Sequence, residues 1–192
     1  TLRANGSRFS LSCLPKEDFP IIEHLNEGTN LNINSKILFK LIDKTKFAIS
    51  NEETRYFLNG LYFNLHEENN KTNVTLVGTD GHRLAKFSHQ IEGKIKSDIG
   101  VIIPKKTINE LSKLLSEFDD DIEITISSNK IIFYINNLVF ISKLIDGTFP
   151  DYKRVIPKDN NNTLEIDREN LLSAVDRVST IANDKSPVIK FK

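Results

Sequence analysis

Apolar positions along the chain change their spacing several times, and each change marks an element. Over residues 34–50 the spacing is helical: Ile37, Leu38, Leu41, Ile42, Ala48 and Ile49 share one face, and Asn34 or Ser35 is placed to cap the start. Phe39 and Phe47 fall outside that stripe. Lys36, Lys40 and Lys44 recur every four residues, so they line the opposite face beside Lys46. A second amphipathic helix is predicted over 104–118. It opens on Pro104, which a first turn tolerates, and carries Ile108, Leu111, Leu114, Leu115 and Phe118 on one stripe with Lys106 and Lys113 opposite. β-Branched and aromatic runs predict strands over 55–65, 72–77, 100–103, 122–126, 130–135 and 138–144. Ser127-Ser128-Asn129 and Asn136-Asn137 have the composition of tight hairpin turns between the last three. The expected class is α+β, with many antiparallel strands and two helices.

The same order of elements recurs. At a shift of 133 positions, Leu31, Ile33, Leu38, Ile42, Asp43 and Lys44 fall on Leu164, Ile166, Leu171, Val175, Asp176 and Arg177, so a strand leading into an amphipathic helix occurs twice. At a shift of 130, Ser12, Leu14, Phe19 and Pro20 fall on Ser142, Leu144, Phe149 and Pro150, and a loop insertion at 158–162 accounts for the change of offset. A period this long suits duplicated whole domains, not solenoid units. Coincidence is the alternative, since most of the matched residues are apolar. Duplication places the last strand of one copy at 1–24, a complete copy at 25–148, and a connector with the first strand and helix of a third at 149–192.

Composition narrows the function classes. With 39% hydrophobic and 27% charged residues the chain is expected to be globular rather than disordered. No run approaches the roughly 18 apolar residues of a membrane span, and nothing near Thr1 resembles a signal peptide, so the expected location is the cytoplasm. Lys plus Arg equals Asp plus Glu at 26 each, which does not indicate a generally basic nucleic-acid binder. Charge is instead sorted by place. Acids gather at Glu52-Glu53, Glu67-Glu68 and 119–121, away from the lysine faces of the two helices. Such a surface attracts phosphates without reading bases, although exposed helices ordinarily carry charge. No aromatic interleaving points to stacking on single strands. Cys13 is the sole cysteine, which rules out an internal disulfide or a cysteine-built zinc site, and its alternating neighbours predict a strand residue. Methionine is absent, and the chain opens at Thr1 and stops at Lys192 inside an alternating run; both ends are expected to be cut from a longer product.

Reactive side chains are densest at Thr79-Asp80-Gly81-His82-Arg83-Leu84. A hydrolytic reading has Asp80 orient His82 as general base for a hydroxyl nucleophile. The structural reading is a hairpin turn at Asp80-Gly81 between two apolar strands. No Gly-x-Ser-x-Gly elbow, phosphate-binding glycine loop or metal-type histidine spacing accompanies the cluster. The segment 149–157, Phe-Pro-Asp-Tyr-Lys-Arg-Val-Ile-Pro, reads as a connector between repeat copies, yet Tyr152, Val155 and Ile156 make it apolar enough to pack on a neighbour or wall a pocket.

Taken together, four segments in register resemble the bacterial DNA sliding clamps, the β subunits of the replicative polymerase, over nearly the whole chain. They are Arg8-Phe9-Ser10-Leu11-Ser12 with Leu14-Pro15; Arg55-Tyr56-Phe57-Leu58-Asn59-Gly60; Thr79 to Ala85; and Ser142 to Tyr152. The resemblance implies a DNA-clamp fold in which two chains of three similar domains close head to tail around duplex DNA, helices inside and sheets outside. Lys36, Lys40, Lys44, Lys46, Lys106 and Lys113 would face phosphate, with a third hole-lining helix beginning near Asp167. It also implies an apolar cleft that docks short peptide motifs of the replicative polymerase, the clamp loader and repair polymerases. By position that cleft takes Leu58, Thr79, Gly81, His82, Arg83 and Leu84 from the second domain, and Pro150, Arg154 and Val155 from the connector. Arg55 matches a position at the cleft entrance. Phe57 stands where tyrosine is common, keeping the ring and losing the hydroxyl. Arg8 and Leu11 match the strand that pairs across the seam of the homodimer. The implied chemistry is binding alone, with no catalysis, metal or cofactor. The competing readings are a hydrolase using Asp80 and His82, and a scaffold with no nucleic-acid role.

Overall fold

Each half of the central region is built as strand, helix and three-stranded meander, and the two halves exchange their first strands. The computed structural model describes residues 1–18, 28–95, 97–181 and 188–191. It divides into two units, Thr1–Phe149 and Pro150–Lys192. In the first unit a short hairpin of β1 (Leu2–Ala4) and β2 (Ser7–Phe9) is followed by β3 (Thr29–Asn34), α1 (Ser35–Asp43), β4 (Gly60–Glu68), β5 (Lys71–Thr79) and β6 (Leu84–Glu92). The second half runs β7 (Ile99–Pro104), α2 (Lys105–Leu115), β8 (Asp121–Ile126), β9 (Lys130–Ile135) and β10 (Leu138–Lys143). One four-stranded sheet has the order β10-β9-β8-β3 and the other β6-β5-β4-β7, so each takes its fourth strand from the other half. Every pairing is antiparallel.

The exchange follows from what each lead strand can bury. Leu31 and Ile33 of β3 lie opposite Ile124 and Ile122 of β8, while Leu61 and Phe63 of β4 lie opposite Ile103 and Val101 of β7. The inward residues of both sheets meet the apolar stripes of the helices, Leu38, Leu41 and Ile42 on α1 and Ile108, Leu111 and Leu115 on α2, in one continuous core. Each such side chain contributes roughly 1.5–3 kcal/mol by leaving water. The helices pack against each other. Their ends are tied where Ser35 donates from Oγ to the Phe118 carbonyl at 3.0 Å and from its backbone amide to the Asp120 carbonyl at 3.1 Å.

The helices form where the spacing predicts them and are shorter. Asn34, not Ser35, caps α1, its side-chain oxygen accepting from the Lys36 amide at 3.1 Å. The α-helix ends at Asp43, because Thr45 Oγ1 donates back to the Leu41 carbonyl at 2.7 Å and the chain tightens into a 3-10 turn at Lys46–Ala48. Pro104 precedes the first turn of α2 as the last residue of β7.

Three expected strand placements differ. The first part of 55–65 is a 3-10 turn, Tyr56–Leu58, closed by Leu58 N–H to Arg55 C=O at 2.8 Å; the strand begins only at Gly60, where a side chain would collide with the Ile103 carbonyl. Cys13 lies in no strand and is exposed. The strand expected around Leu164 and Ile166 does not form: no described strand pairs there, and both residues are exposed. The hairpin turn at Asn136-Asn137 is present, with Asn136 at φ 50°, and Asn69-Asn70 makes another between β4 and β5 with φ 54° and 65°, which the sequence reading missed. Phe19 and Pro20, matched to Phe149 and Pro150 in the repeat, lie outside the described residues.

In the second unit a 3-10 turn at Tyr152–Arg154 precedes α3 (Arg168–Ser179). Asp167 caps α3, its Oδ1 accepting from the Asn170 amide at 2.9 Å. Asp167 is the residue that the shift of 133 sets on Asn34. The repeat therefore carries its helix start signal at the same register.

Candidate functional site

Two groups of residues singled out in the sequence are assembled within the first unit. Lys36, Lys40, Lys106 and Lys113 are exposed on the helix faces away from the core stripe, Lys44 is exposed at the C-cap of α1, and Lys46 is half-buried in the 3-10 turn that follows. Lys46 spans the helices, donating to Ser112 Oγ at 2.9 Å. The acids, however, are not elsewhere. Lys36 is paired with Asp119, Lys46 with Asp43 at 3.6 Å and Lys113 with Glu110 at 3.0 Å. Asp43 and Glu110 sit on the helices at the same spacing as the lysines, a signal readable in the sequence; Asp119 is brought in by the fold. Lys40 lies 5.8 Å from the centre of the Phe87 ring. Lys44 and Lys106 have no ion-pair partner among the described residues.

The second group is the turn between β5 and β6. Asp80 Oδ1 accepts the backbone amides of His82 at 2.9 Å and Arg83 at 3.0 Å, while Oδ2 accepts Arg83 Nε at 3.0 Å. Those amides of Arg83 and His82, with desolvation opposing them and the Arg83 guanidinium assisting, hold the Asp80 carboxyl down at about 2. Asp80 is thus a brace for the turn. It orients the backbone of His82 and not its imidazole, which removes the general-base pairing on which the hydrolytic reading depends. Thr79 closes the turn from the other side, donating from Oγ1 to the Arg83 carbonyl at 2.7 Å and accepting from the Gly81 amide at 3.1 Å. Gly81 has φ +87°, and a side chain there would run into the Arg55 guanidinium.

Arg55 locks this turn to the 3-10 segment. Its Nη2 donates to the Asp80 carbonyl at 3.0 Å, and its guanidinium grips Glu52 through Nε at 2.8 Å and Nη2 at 2.5 Å. The hydrogen bond to Glu52 raises the Arg55 pKa, and the same bond lowers that of Glu52. Arg83 reaches back to the Phe47 carbonyl at 3.0 Å and lies 5.7 Å from the centre of that ring. The structure therefore brings Arg55, Thr79, Gly81 and Arg83 together, with Leu58 buried and Leu84 half-buried at the two ends of the arrangement. Glu52 and Phe47 belong to it and were not foreseen, because nothing in local spacing ties them to a turn some 30 residues away. Phe57 is half-buried with its ring edge-on to Tyr56, centroids 5.9 Å apart.

Pro150, Arg154 and Val155 belong to the second unit, where all three are exposed; Arg154 pairs with Asp151 at 2.9 Å. Arg8 lies in β2 opposite Arg3, and Leu11 follows that strand with its side chain exposed. No group of three or more His, Cys, Asp or Glu side chains among the described residues could hold a metal ion. No helix among them is long and apolar enough to cross a membrane.

Two helices side by side over two antiparallel sheets with exchanged lead strands define the class: an α+β DNA-clamp fold. Residues 32–151 match the family described as DNA polymerase III beta subunit, central domain, and residues 153–192 match its C-terminal domain. The chain is 42% identical over 190 residues to the beta sliding clamp of Caulobacter vibrioides, covering 99% of the chain and 51% of that protein. Among solved structures it is similar to the sliding clamp of Bartonella birtlesii bound to griselimycin, at 48% identity and a TM-score of 0.86, over 95% of this chain and 49% of that one. The DNA polymerase III β subunit of Pseudomonas aeruginosa is 36% identical with a TM-score of 0.85, over 95% and 49%. The chain belongs to the bacterial DNA polymerase III β subunit family, the β sliding clamps. It spans about half the length of the curated relatives it matches.

Proposed function

We propose that this chain works as part of a DNA sliding clamp, a processivity factor that encircles duplex DNA and tethers the replicative polymerase. The observation that carries this reading is the pair of adjacent helices whose lysines point away from the core, in a member of the clamp family. Residues 1–24 are the end of a first clamp domain, 25–148 a complete second domain, and 149–192 the connector and start of a third. The whole protein is a homodimer, with Arg8 and Leu11 at its seam, acting in the cytoplasm. Lys36, Lys40, Lys44, Lys46, Lys106 and Lys113 face the phosphates. The braced turn supports a cleft for short peptide motifs of the polymerase, the clamp loader and repair polymerases. Its residues are Leu58, Thr79, Gly81, His82, Arg83 and Leu84 with Pro150, Arg154 and Val155, and Arg55 and Phe57 stand at the entrance. The chemistry is binding only.

A formal charge of zero supplies little general affinity for DNA, so retention rests on topology. The test loads the full-length protein on closed circular DNA and then linearises it: the clamp should stay on the circle and leave the linear form. Equal retention on both at one salt concentration contradicts encirclement. Replacing Lys36, Lys40 and Lys44 with alanine should weaken loading and direct contact.

A further inference from the structure

Half of the lysines on the helix face already hold an anion of their own. Asp43 follows Lys40 by three residues and Lys36 by seven, so it rides on the lysine stripe of α1. Glu110 follows Lys106 by four and precedes Lys113 by three, within the stripe of α2. Asp119 arrives from the loop after α2 and meets Lys36 at the start of α1. These carboxylates are open to water, at 65%, 45% and 50% side-chain exposure for Asp119, Asp43 and Glu110. Exposed pairs of this kind shift an equilibrium by no more than about fivefold each. In the structure each carboxylate is paired with a lysine, and pairs this weak do not keep the lysine from a competing phosphate.

We infer that Asp43, Glu110 and Asp119 act as built-in substitutes for DNA phosphate, each holding a lysine while the duplex backbone is out of reach and exchanging it as a phosphate passes. The inference rests on the proposed DNA-facing role of the helix pair. Lys44 and Lys106, without ion-pair partners among the described residues, and Lys40 supply the standing attraction. Lys36, Lys46 and Lys113 add contact only by exchange, and the displaced carboxylate then stands near the phosphates and repels them. Affinity at any one position is thereby kept low, and a step between neighbouring phosphates trades one anion for another without stripping a lysine of all partners. Such a surface suits a protein that moves along the duplex.

The test measures equilibrium binding of the full-length protein to a short linear duplex across a salt series. The variants are Asp43→Asn, Glu110→Gln and Asp119→Asn, singly and combined, with Lys40→Ala, Lys44→Ala and Lys106→Ala combined as the comparison. The acid triple variant is expected to bind on the order of tenfold more tightly at low salt, with a steeper dependence of log K on log salt. Unchanged affinity and slope in that variant, while the lysine variant loses binding, would overturn the exchange role and leave the DNA-facing surface standing. No change in either set would overturn both. The substitutions are near-isosteric at exposed positions, and the Glu110→Gln single variant, away from the loop at Asp119, keeps the measurement decisive if the combination folds poorly.

Discussion

Asp80 shows how much of the turn between β5 and β6 can rest on one carboxylate. Its oxygens accept two backbone amides and a guanidinium nitrogen, and the pKa falls from 3.8 to about 2. A folded-state value below the unfolded one stabilises the fold fully above the unfolded value, and that stabilisation is lost as pH falls through the folded value. Asp80→Asn keeps an acceptor and loses the charge, so it should cost about 1–2 kcal/mol by urea unfolding at pH 7. The gap from the parent should narrow between pH 4 and pH 2, the window set by the two values. A gap of constant size across that window would show that the carboxylate charge is not what braces the turn. Gly81 makes a second point at this scale. At φ +87°, Gly81→Ala meets both a strained backbone and the Arg55 guanidinium, and should lower stability by about 1–3 kcal/mol on thermal unfolding. The Asp-Gly pair was legible as a turn from sequence. The grip of Arg55 was not, because it joins a side chain to the Asp80 backbone carbonyl 25 residues on, and their proximity depends on β4 pairing with β5.

Among the elements, the helices were the most legible, since a face buried against sheets must repeat with the helical period. Leu41 and Leu111 are fully buried where that period places them. Leu41→Ala should cost about 2–5 kcal/mol in chemical denaturation. Lys40→Ala, on the opposite and exposed face of the same helix, should stay within about 0.5 kcal/mol of the parent. A similar loss at both positions would mean that the two faces are not divided between core and solvent. Asn34→Ala removes the cap of α1 and should cost about 0.5–2 kcal/mol, measured the same way. Strand limits were less legible. β6 was not predicted as a separate strand because it is an edge strand with most residues exposed, and its polar Ser88, His89 and Gln90 blur the alternation. The segment 55–59 has strand composition and forms a 3-10 turn, since Gly60 must come so close to Ile103 that pairing starts only there.

For the whole molecule, the proposed peptide cleft is the feature most dependent on assembly. A partner peptide placing two or three apolar side chains in it would gain roughly 1.5–3 kcal/mol for each one fully buried. Ordering and docking costs offset part of that gain, leaving an affinity in roughly the micromolar range, which suits partners that exchange. In the full-length protein, Leu84→Ala or Val155→Asp should abolish binding of a polymerase-derived peptide while the fold and ring persist. Peptide titration with unchanged affinity in folded variants would show the cleft to be assigned to the wrong residues.

Local sequence was enough for whatever depends on neighbours along the chain: the helix faces and their lysines, a cap at Asn34 or Ser35, the turn at Asp80-Gly81, and the repeat of a strand leading into an amphipathic helix. These need only periodicity and short-range hydrogen bonds, which the order of residues specifies directly. Tertiary structure alone decided that β3 and β7 cross into each other's sheets, that Arg55 clasps the turn, and that Asp119 reaches Lys36. Those arrangements join residues far apart in sequence, and antiparallel pairing can be satisfied by several partners of equal apolarity. Only the burial of both helices in one core selects among them.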